Sequence, residues 1–308
     1  MLILGFDMVT MPSRPRGPDE GSVNTQFWLI QTFNGISYAA LLFLVGSGLS
    51  LIFGVMRIVN LSHGSYFLLG GYVALSVIWT TGSWVLAIPV AALSIALVGL
   101  LMERIFLRPL GFDPLRQVLL TVGFAFLFQQ AALDIWTGNN FDINPPDALT
   151  KSIVIGGIHF PLYRAFMIGT ALMIGLILWL VMEKTRMGAA VRATVDDAQM
   201  ARGVGVDTSR ISMFIFALGA GLAALGGVIG GAFLGIYPGL DFEILPLAFA
   251  VVIIGGMGSL GGAAIGALLV GLADNFGKAM FPEISYFTLY APMALILAVK
   301  PTGLFGRE

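Results

Sequence analysis

The amino-acid sequence predicts an all-α fold: a polytopic transmembrane helical bundle of eight or nine spans, with a broken glycine-rich helix near 255–262. Two observations carry that expectation. Hydrophobic residues make up 57% of the 308 and charged residues 11%, with a mean hydropathy of +0.92, whereas soluble domains carry roughly 25% charged residues. Asp, Glu, Lys and Arg are absent from residues 25–56, 58–102, 211–240 and 244–273. Each of these runs exceeds the ~20 apolar residues with which a helix crosses a hydrocarbon core of about 30 Å.

From the N-terminus, residues 1–24 read as a flexible leader. Arg14 and Arg16 precede an apolar stretch too long for a signal peptide and lacking a small-residue cleavage site. Residues 25–308 read as a single transmembrane domain. Spans fall near 35–56, 61–80, 84–102, 118–135, 165–182, 211–235, 244–256, 262–276 and 284–300. The seventh and eighth share one apolar run, interrupted by Gly255-Gly256-Met257-Gly258-Ser259-Leu260-Gly261-Gly262. Glycine costs about 1 kcal/mol per helical position relative to alanine, so this run is either a hairpin or a broken helix.

Orientation follows from the excess of Lys and Arg in cytoplasmic loops. Half of the 16 basic residues sit in two connections: Arg104, Arg108 and Arg116 in one, and Lys184, Arg186, Arg192, Arg202 and Arg210 in the other. Both are therefore placed inside, with Lys300 and Arg307. The connection 135–163, with Asp142 and Asp147 against Lys151, and the one flanked by Asp241 and Glu243 then lie outside, as does the N-terminus. Gly226, Gly227, Gly230, Gly231 and Gly235, and again Gly262 and Gly266, place small residues four apart. Such spacing lets helix backbones approach closely in lipid, against a neighbour in this chain or in another subunit.

Three constellations are candidates for function. Asn60-Leu61-Ser62-His63-Gly64-Ser65-Tyr66 is a polar patch between two apolar segments. It either lines a solute path or forms a turn at the membrane surface with Asn60 or Ser62 capping the next helix. In the cluster Gly255, Gly256, Gly258 and Ser259, a broken helix would offer backbone groups to a solute, whereas a tight cytoplasmic turn would only join two short helices. The segment 183–210 is longer than a simple connection. Thr194-Val195-Asp196-Asp197 resembles a capping box, and Gly203 and Gly205 suit a helix end, so a short helix outside the membrane is expected, either a docking surface or a solvated loop.

Several chemistries are excluded. Without cysteine there is no disulfide, thiolate metal site or cysteine nucleophile. No span carries a central acidic or basic residue of the kind that marks most ion-coupled transporters. HExxH and GxxxxGK[ST] motifs and paired intramembrane carboxylates are missing. The chain is therefore expected to be no enzyme, to hydrolyse no ATP itself, and to need no cofactor, metal or nucleic acid.

The order of several motifs resembles the permease subunits of the branched-chain amino acid ATP-binding-cassette transporter family, and the shorter of its two paralogous permeases. These are Asn34-Gly35, the Asn60 to Gly64 patch, Gly70-Gly71-Tyr72, Glu103-Arg104, Arg108-Pro109, and Arg186-Met187-Gly188-Ala189-Ala190-Val191-Arg192-Ala193 followed by Met200-Ala201, Gly205 and Arg210. Gly255-Gly256-Met257-Gly258-Ser259, Gly262-Ala263 and the ending Pro301 to Arg307 complete them. The chain departs from many relatives at Ser65, where they carry Glu, and at Gly203, where they carry a bulky apolar residue. The resemblance implies an inner-membrane importer subunit working by alternating access. Its partners would be a paralogous permease, two cytoplasmic ATPases, an extracytoplasmic solute-binding protein and the lipid bilayer. It implies an ATPase-coupling loop at 183–210 carrying Arg186, Gly188, Arg192, Asp196, Asp197, Met200, Ala201, Gly205 and Arg210, and binding-protein contacts near 142–163 and Asp241. The candidate translocation path comprises Asn60, Ser62, His63, Gly255, Gly256, Gly258 and Ser259. The alternatives are a stand-alone secondary transporter or channel for a small solute, or a membrane scaffold.

Overall fold

The computed structural model describes residues 20–111, 113–155, 158–300 and 302–306, which form a helical bundle with one small two-stranded hairpin. The long helices are α1 (Glu20–Met56), α2 (His63–Thr81), α3 (Trp84–Met102), α4 (Pro114–Trp136) and α5 (Leu162–Lys184), followed by α6 (Arg186–Asp196) and the one-turn α7 (Ala198–Gly203). After these come α8 (Thr208–Leu234), α9 (Leu240–Gly255), α10 (Leu260–Met280) and α11 (Ser285–Val299). Strands β1 (Ser152–Ile155) and β2 (Ile158–Pro161) pair antiparallel in the connection before α5. Of the expected leader, residues 1–19 lie outside the described residues, and 20–24 begin α1.

Every expected span is a helix, but the count of spans is corrected. Six helical segments among the described residues are long and apolar enough to cross a bilayer: Thr25–Met56, Trp84–Leu110, Pro114–Trp136, Leu162–Lys184, Thr208–Leu234 and Leu260–Met280. Of the other three, α9 has 16 residues and α11 has 15, about 24 and 22 Å of helix. The third, α2, has 19 residues but opens on His63, Gly64, Ser65 and Tyr66. Both α2 and α9 are buried along much of their length. A helix surrounded by protein need not satisfy the length and hydropathy that lipid demands.

The helices α1 and α8 form the centre, with α2, α3, α9 and α10 packed on them, while α3, α4 and α5 turn most of their surface outward. Glycine makes this arrangement possible, and the neighbours are within this chain. A Cβ at Gly227 would collide with the Phe67 carbonyl of α2, one at Gly70 with Ala224 of α8, and one at Gly271 would lie 2.6 Å from the Ala39 nitrogen of α1. Between α9 and α10, Gly255 faces Gly262 and Gly266 faces Val251. The interrupted run is therefore an antiparallel hairpin, and its turn is tight enough that Gly256 and Gly258 take positive φ of 100° and 81°.

The ends of the bundle sort by charge. The inner ends of α1 and α8 share a buried cluster with α5 and α6, formed by Leu51, Val55, Met182, Val191, Ile211 and Ile215. Gly99 near the end of α3 packs on Phe216 and Ala220 of α8, and Gly54 of α1 on Gly258. Both basic connections, the 255–262 turn and the C-terminal segment thus lie at one end, which the charge rule assigns to the cytoplasm.

Replacing Gly227 by Leu should cost about 3 kcal/mol or more, because the obstacle is backbone that a rotamer change cannot clear. Gly123, whose Cβ position is empty within 4 Å, should accept Ala without loss. Thermal unfolding of the two purified variants in detergent checks this, and equal midpoints would refute the close-packing account.

Candidate functional site

Helix α2 starts inside the protein rather than at its surface. His63 Nε2 donates to the Val45 carbonyl of α1 at 3.0 Å. Val45 lies eleven residues before Met56, the end of α1, about 16 Å along the axis. Asn60, Ser62 and His63 are each fully buried. Asn60 Oδ1 accepts from the Ser62 amide at 3.1 Å and the Ser62 hydroxyl at 2.7 Å, while Leu61 N donates to Thr121 Oγ1 of α4 at 3.2 Å. Ser62 occupies the cap position of α2 without a side-chain cap bond. The patch is thus a polar junction within the bundle, and Asn60 Nδ2 and His63 Nδ1 have no hydrogen-bond partner there.

The start of α9 meets this junction. Gly239 takes a left-handed φ of 97°, which turns the chain so that the first turn of α9 faces α2. Ser65 Oγ donates to Asp241 Oδ2 at 3.1 Å, and a Cβ at Gly64 would collide with the Asp241 carbonyl. Asp241 is only 2% exposed. This corrects two expectations. Asp241 is no external flank residue available to a binding protein, and a helix of the bundle does bury an acid. No local sequence signal could have revealed this, because Ser65 and Asp241 are 176 positions apart. Glu243 remains exposed, accepting from Tyr237 OH at 2.8 Å.

The glycine cluster divides between two roles. Leu304 N and Phe305 N donate to the Ile254 and Gly255 carbonyls at 2.9 and 3.0 Å, so the C-terminal segment satisfies the open end of α9. Gly255 and Gly256 are in backbone contact with Gly262 and Gly306. Gly258 and Ser259, by contrast, lie at one end of an apolar groove of about 660 Å³ between α1, α5 and α10. Ile36, Ala39, Ala40 and Phe43 of α1 line it, and Val191, Arg192 and Val195 of α6 wall its cytoplasmic end. At 100° per residue Val45 lies about 200° round α1 from Phe43. The groove and the polar junction are therefore on opposite faces of α1, and the structure does not bring the two sets of candidate path residues together.

In the cytoplasmic segment, Thr185 caps α6 by accepting from Gly188 N at 3.1 Å, and Asp197 caps α7 by accepting from Gln199 N and Met200 N at 2.8 and 3.0 Å. The expected capping box is corrected: Thr194 is in the last turn of α6, its hydroxyl donating to the Ala190 carbonyl at 2.8 Å. Gly203 ends α7 and Gly205 follows with φ 89°. Gly188 abuts the Met182 carbonyl, which also accepts from Arg192, and Arg192 lies 3.7 Å from Glu183. Ala201 is buried, Arg210 pairs with Asp207 at 2.9 Å, and Arg186 and Asp196 are on the surface. The feature that composition did not reveal is apolar exposure in this polar segment: Met200 is 71% and Val204 80% exposed.

Comparison with known proteins agrees with this architecture. A family model described as branched-chain amino acid transport system / permease component matches residues 31–297. The high-affinity branched-chain amino acid transport system permease protein LivH of Escherichia coli K12 is 29% identical over 299 residues, covering 91% of this chain and 96% of that protein. BraD of Pseudomonas aeruginosa, the permease protein of a high-affinity branched-chain amino acid transport system, is 28% identical with the same coverage. The autoinducer 2 import system permease LsrC of Escherichia coli O9:H4 is 29% identical over 83% of this chain and 74% of its own. No solved structure matches. With six apolar helices of spanning length and a family match over most of its residues, the chain belongs to the inner-membrane permease family of the branched-chain amino acid transport systems.

Proposed function

We propose that this permease carries branched-chain amino acids, or closely related small polar solutes, across the inner membrane by alternating access. Its partners in this reading are a paralogous second permease, two cytoplasmic ATPases and an extracytoplasmic solute-binding protein. The observation that carries it is mechanical. The α6–α7 segment packs on the inner end of α1 through Val191, Leu51 and Val55, and α1 in turn holds the buried junction through the Val45–His63 hydrogen bond. Displacing α6 therefore displaces the helix on which the junction is built, and a nucleotide-driven movement at the cytoplasmic surface shifts the population of junction conformations.

Each segment residue has a part in this reading. Met200 and Val204 form the apolar contact for an ATPase, and Arg186, Asp196, Asp197 and Arg210 offer polar contacts from the same cytoplasmic segment, while Gly205 and the buried Ala201 set the turn that presents the apolar pair. Arg192 and Gly188 tie α6 to the end of α5 at the Met182 carbonyl. Asn60, Ser62 and His63 stand on the solute path at the junction, and Gly258 and Ser259 stand where the α9–α10 turn meets α1. The permease performs no covalent chemistry, and the ATPase partners hydrolyse ATP.

Uptake of labelled leucine, glutamate and urea into cells with and without the gene, with ATP depletion as control, tests the function. Loss of ATP-dependent leucine uptake alone is expected. Loss of another solute instead would replace the substrate, and unchanged uptake of all three would favour a stand-alone transporter.

Two substitutions test the coupling segment. Met200→Asp combined with Val204→Asp should lower copurification of the ATPases by roughly tenfold or more, as removal of a central apolar contact does, without lowering the amount of permease in the membrane. Arg192→Ala should retain the ATPases but reduce solute uptake per ATP hydrolysed, measured in proteoliposomes. Normal coupling in that variant would remove Arg192 from the mechanism.

A further inference from the structure

The polar junction contains a buried acid with no cation beside it among the described residues. Asp241 Oδ2 accepts from Ser65, and the side chain stands in the first turn of α9, where helix amides favour negative charge. Its Oδ1 is buried with no hydrogen-bond partner. The hydroxyl of Tyr72, seven residues and about two turns along the same face of α2 as Ser65, is also buried and unpartnered. Among the described residues the ion pairs are Arg116–Asp113, Arg192–Glu183, Arg210–Asp207 and Lys278–Asp274. None involves Asp241. An acid removed from water without a cation is strongly unfavourable, and inside a membrane such a residue marks a functional site.

The missing partner can be specified. It must bring positive charge to Asp241 and an N–H donor to Oδ1, and the unpartnered Tyr72 hydroxyl further along the same face of α2 offers a second acceptor. A primary ammonium meets both demands. Phe242, the residue after Asp241, is 41% exposed, and its ring lies 5.8 Å from that of Phe126 on the outward-facing α4. We propose that Asp241, with Ser65 and Tyr72, is the intramembrane docking point for the ammonium group of the transported solute. The proposal rests on the transport reading above and adds which solute atom is held, and by what.

The test uses the assembled importer, both permeases with the ATPases, in nanodiscs without the binding protein. Binding of labelled leucine is compared with that of 4-methyl-2-oxopentanoate, which keeps the carboxylate and the branched chain but replaces the ammonium by a carbonyl oxygen. Leucine should bind at least roughly tenfold more tightly, and Asp241→Asn should abolish that difference. Copurification of both permeases and the ATPases with the Asp241→Asn chain at unaltered stoichiometry separates loss of solute binding from loss of structure. Tyr72→Phe removes one acceptor and keeps the charge, so it should weaken leucine binding and leave assembly intact even if Asp241→Asn assembles poorly. Equal affinity for the two ligands in the unaltered assembly, or unchanged leucine affinity in Asp241→Asn, would overturn the proposal. So would leucine binding that requires Na⁺ and loses that requirement in Asp241→Asn, because the site would then belong to an inorganic cation. Absence of ATP-driven leucine uptake by the unaltered importer would instead count against the transport reading.

Discussion

The structure depends on helix backbones touching one another at glycine. In lipid the burial of a leucine between helices gains little over its burial among acyl chains, so helices associate through close packing and polar contacts. The contacts of α8 with α2 at Gly227 and Gly70, of α10 with α1 at Gly271 and Gly35, and of α9 with α10 at Gly255, Gly262 and Gly266 all place backbone where a side chain would stand. Because these contacts join α1, α2, α8, α9 and α10 into one block, α2 and α9 can be enclosed by protein. That enclosure allows a histidine, an asparagine and an aspartate to lie among them.

The parts of the fold that were legible in the sequence were the long apolar helices, whether they face lipid as α4 does or form the centre as α1 and α8 do. Apolar runs between charges and turn residues located every long helix, and the two basic connections gathered at one end as the charge rule requires. The number of spans was misjudged for the reason the structure makes plain: α2, α9 and α11 are helices that hydropathy detects but whose length or composition does not fit a bilayer crossing. The site was legible only in part. Asn60, Ser62 and His63 were recognisable as polar groups needing partners, but their depth was not, since it is fixed by a hydrogen bond to Val45, a residue with no sequence signal. Thr194 was misread because a threonine late in a helix and one before a helix look alike until the break at Asp197 is seen. Asp241 was placed outside because a charge at the edge of an apolar run is normally a boundary. Here the left-handed Gly239 folds that boundary inward.

The central role of α1 follows from what its faces touch. Its inner end packs with α6, one face borders the apolar groove, and the opposite face carries the Val45 carbonyl that receives His63. It is among the most buried of the long spans, so its position is set by protein on several sides at once. A rigid helix of this kind passes a displacement at one end to its middle with little loss, because interiors packed at crystal-like density shift as units rather than deform. The ties of α6 to the Met182 carbonyl, by Arg192 and Gly188 together, make α5 the second element that must move with it.

Shortness and chemistry are linked in α2 and α9. A helix that crosses the whole bilayer delivers its unpaired amides to the headgroup region, where water satisfies them. One that begins within the bundle brings up to four orphan N–H groups into the protein, and these favour negative charge. The first turns of α2 and α9 meet at Gly64 and Asp241, and the carboxylate of Asp241 answers that demand from within the chain. Answering it with a charged group rather than a neutral one leaves an excess that two helix starts and one serine hydroxyl only partly spread. The same broken-helix geometry that elsewhere binds an anionic solute group is, in this permease, already filled by its own acid, and so is inverted into a site for a cation.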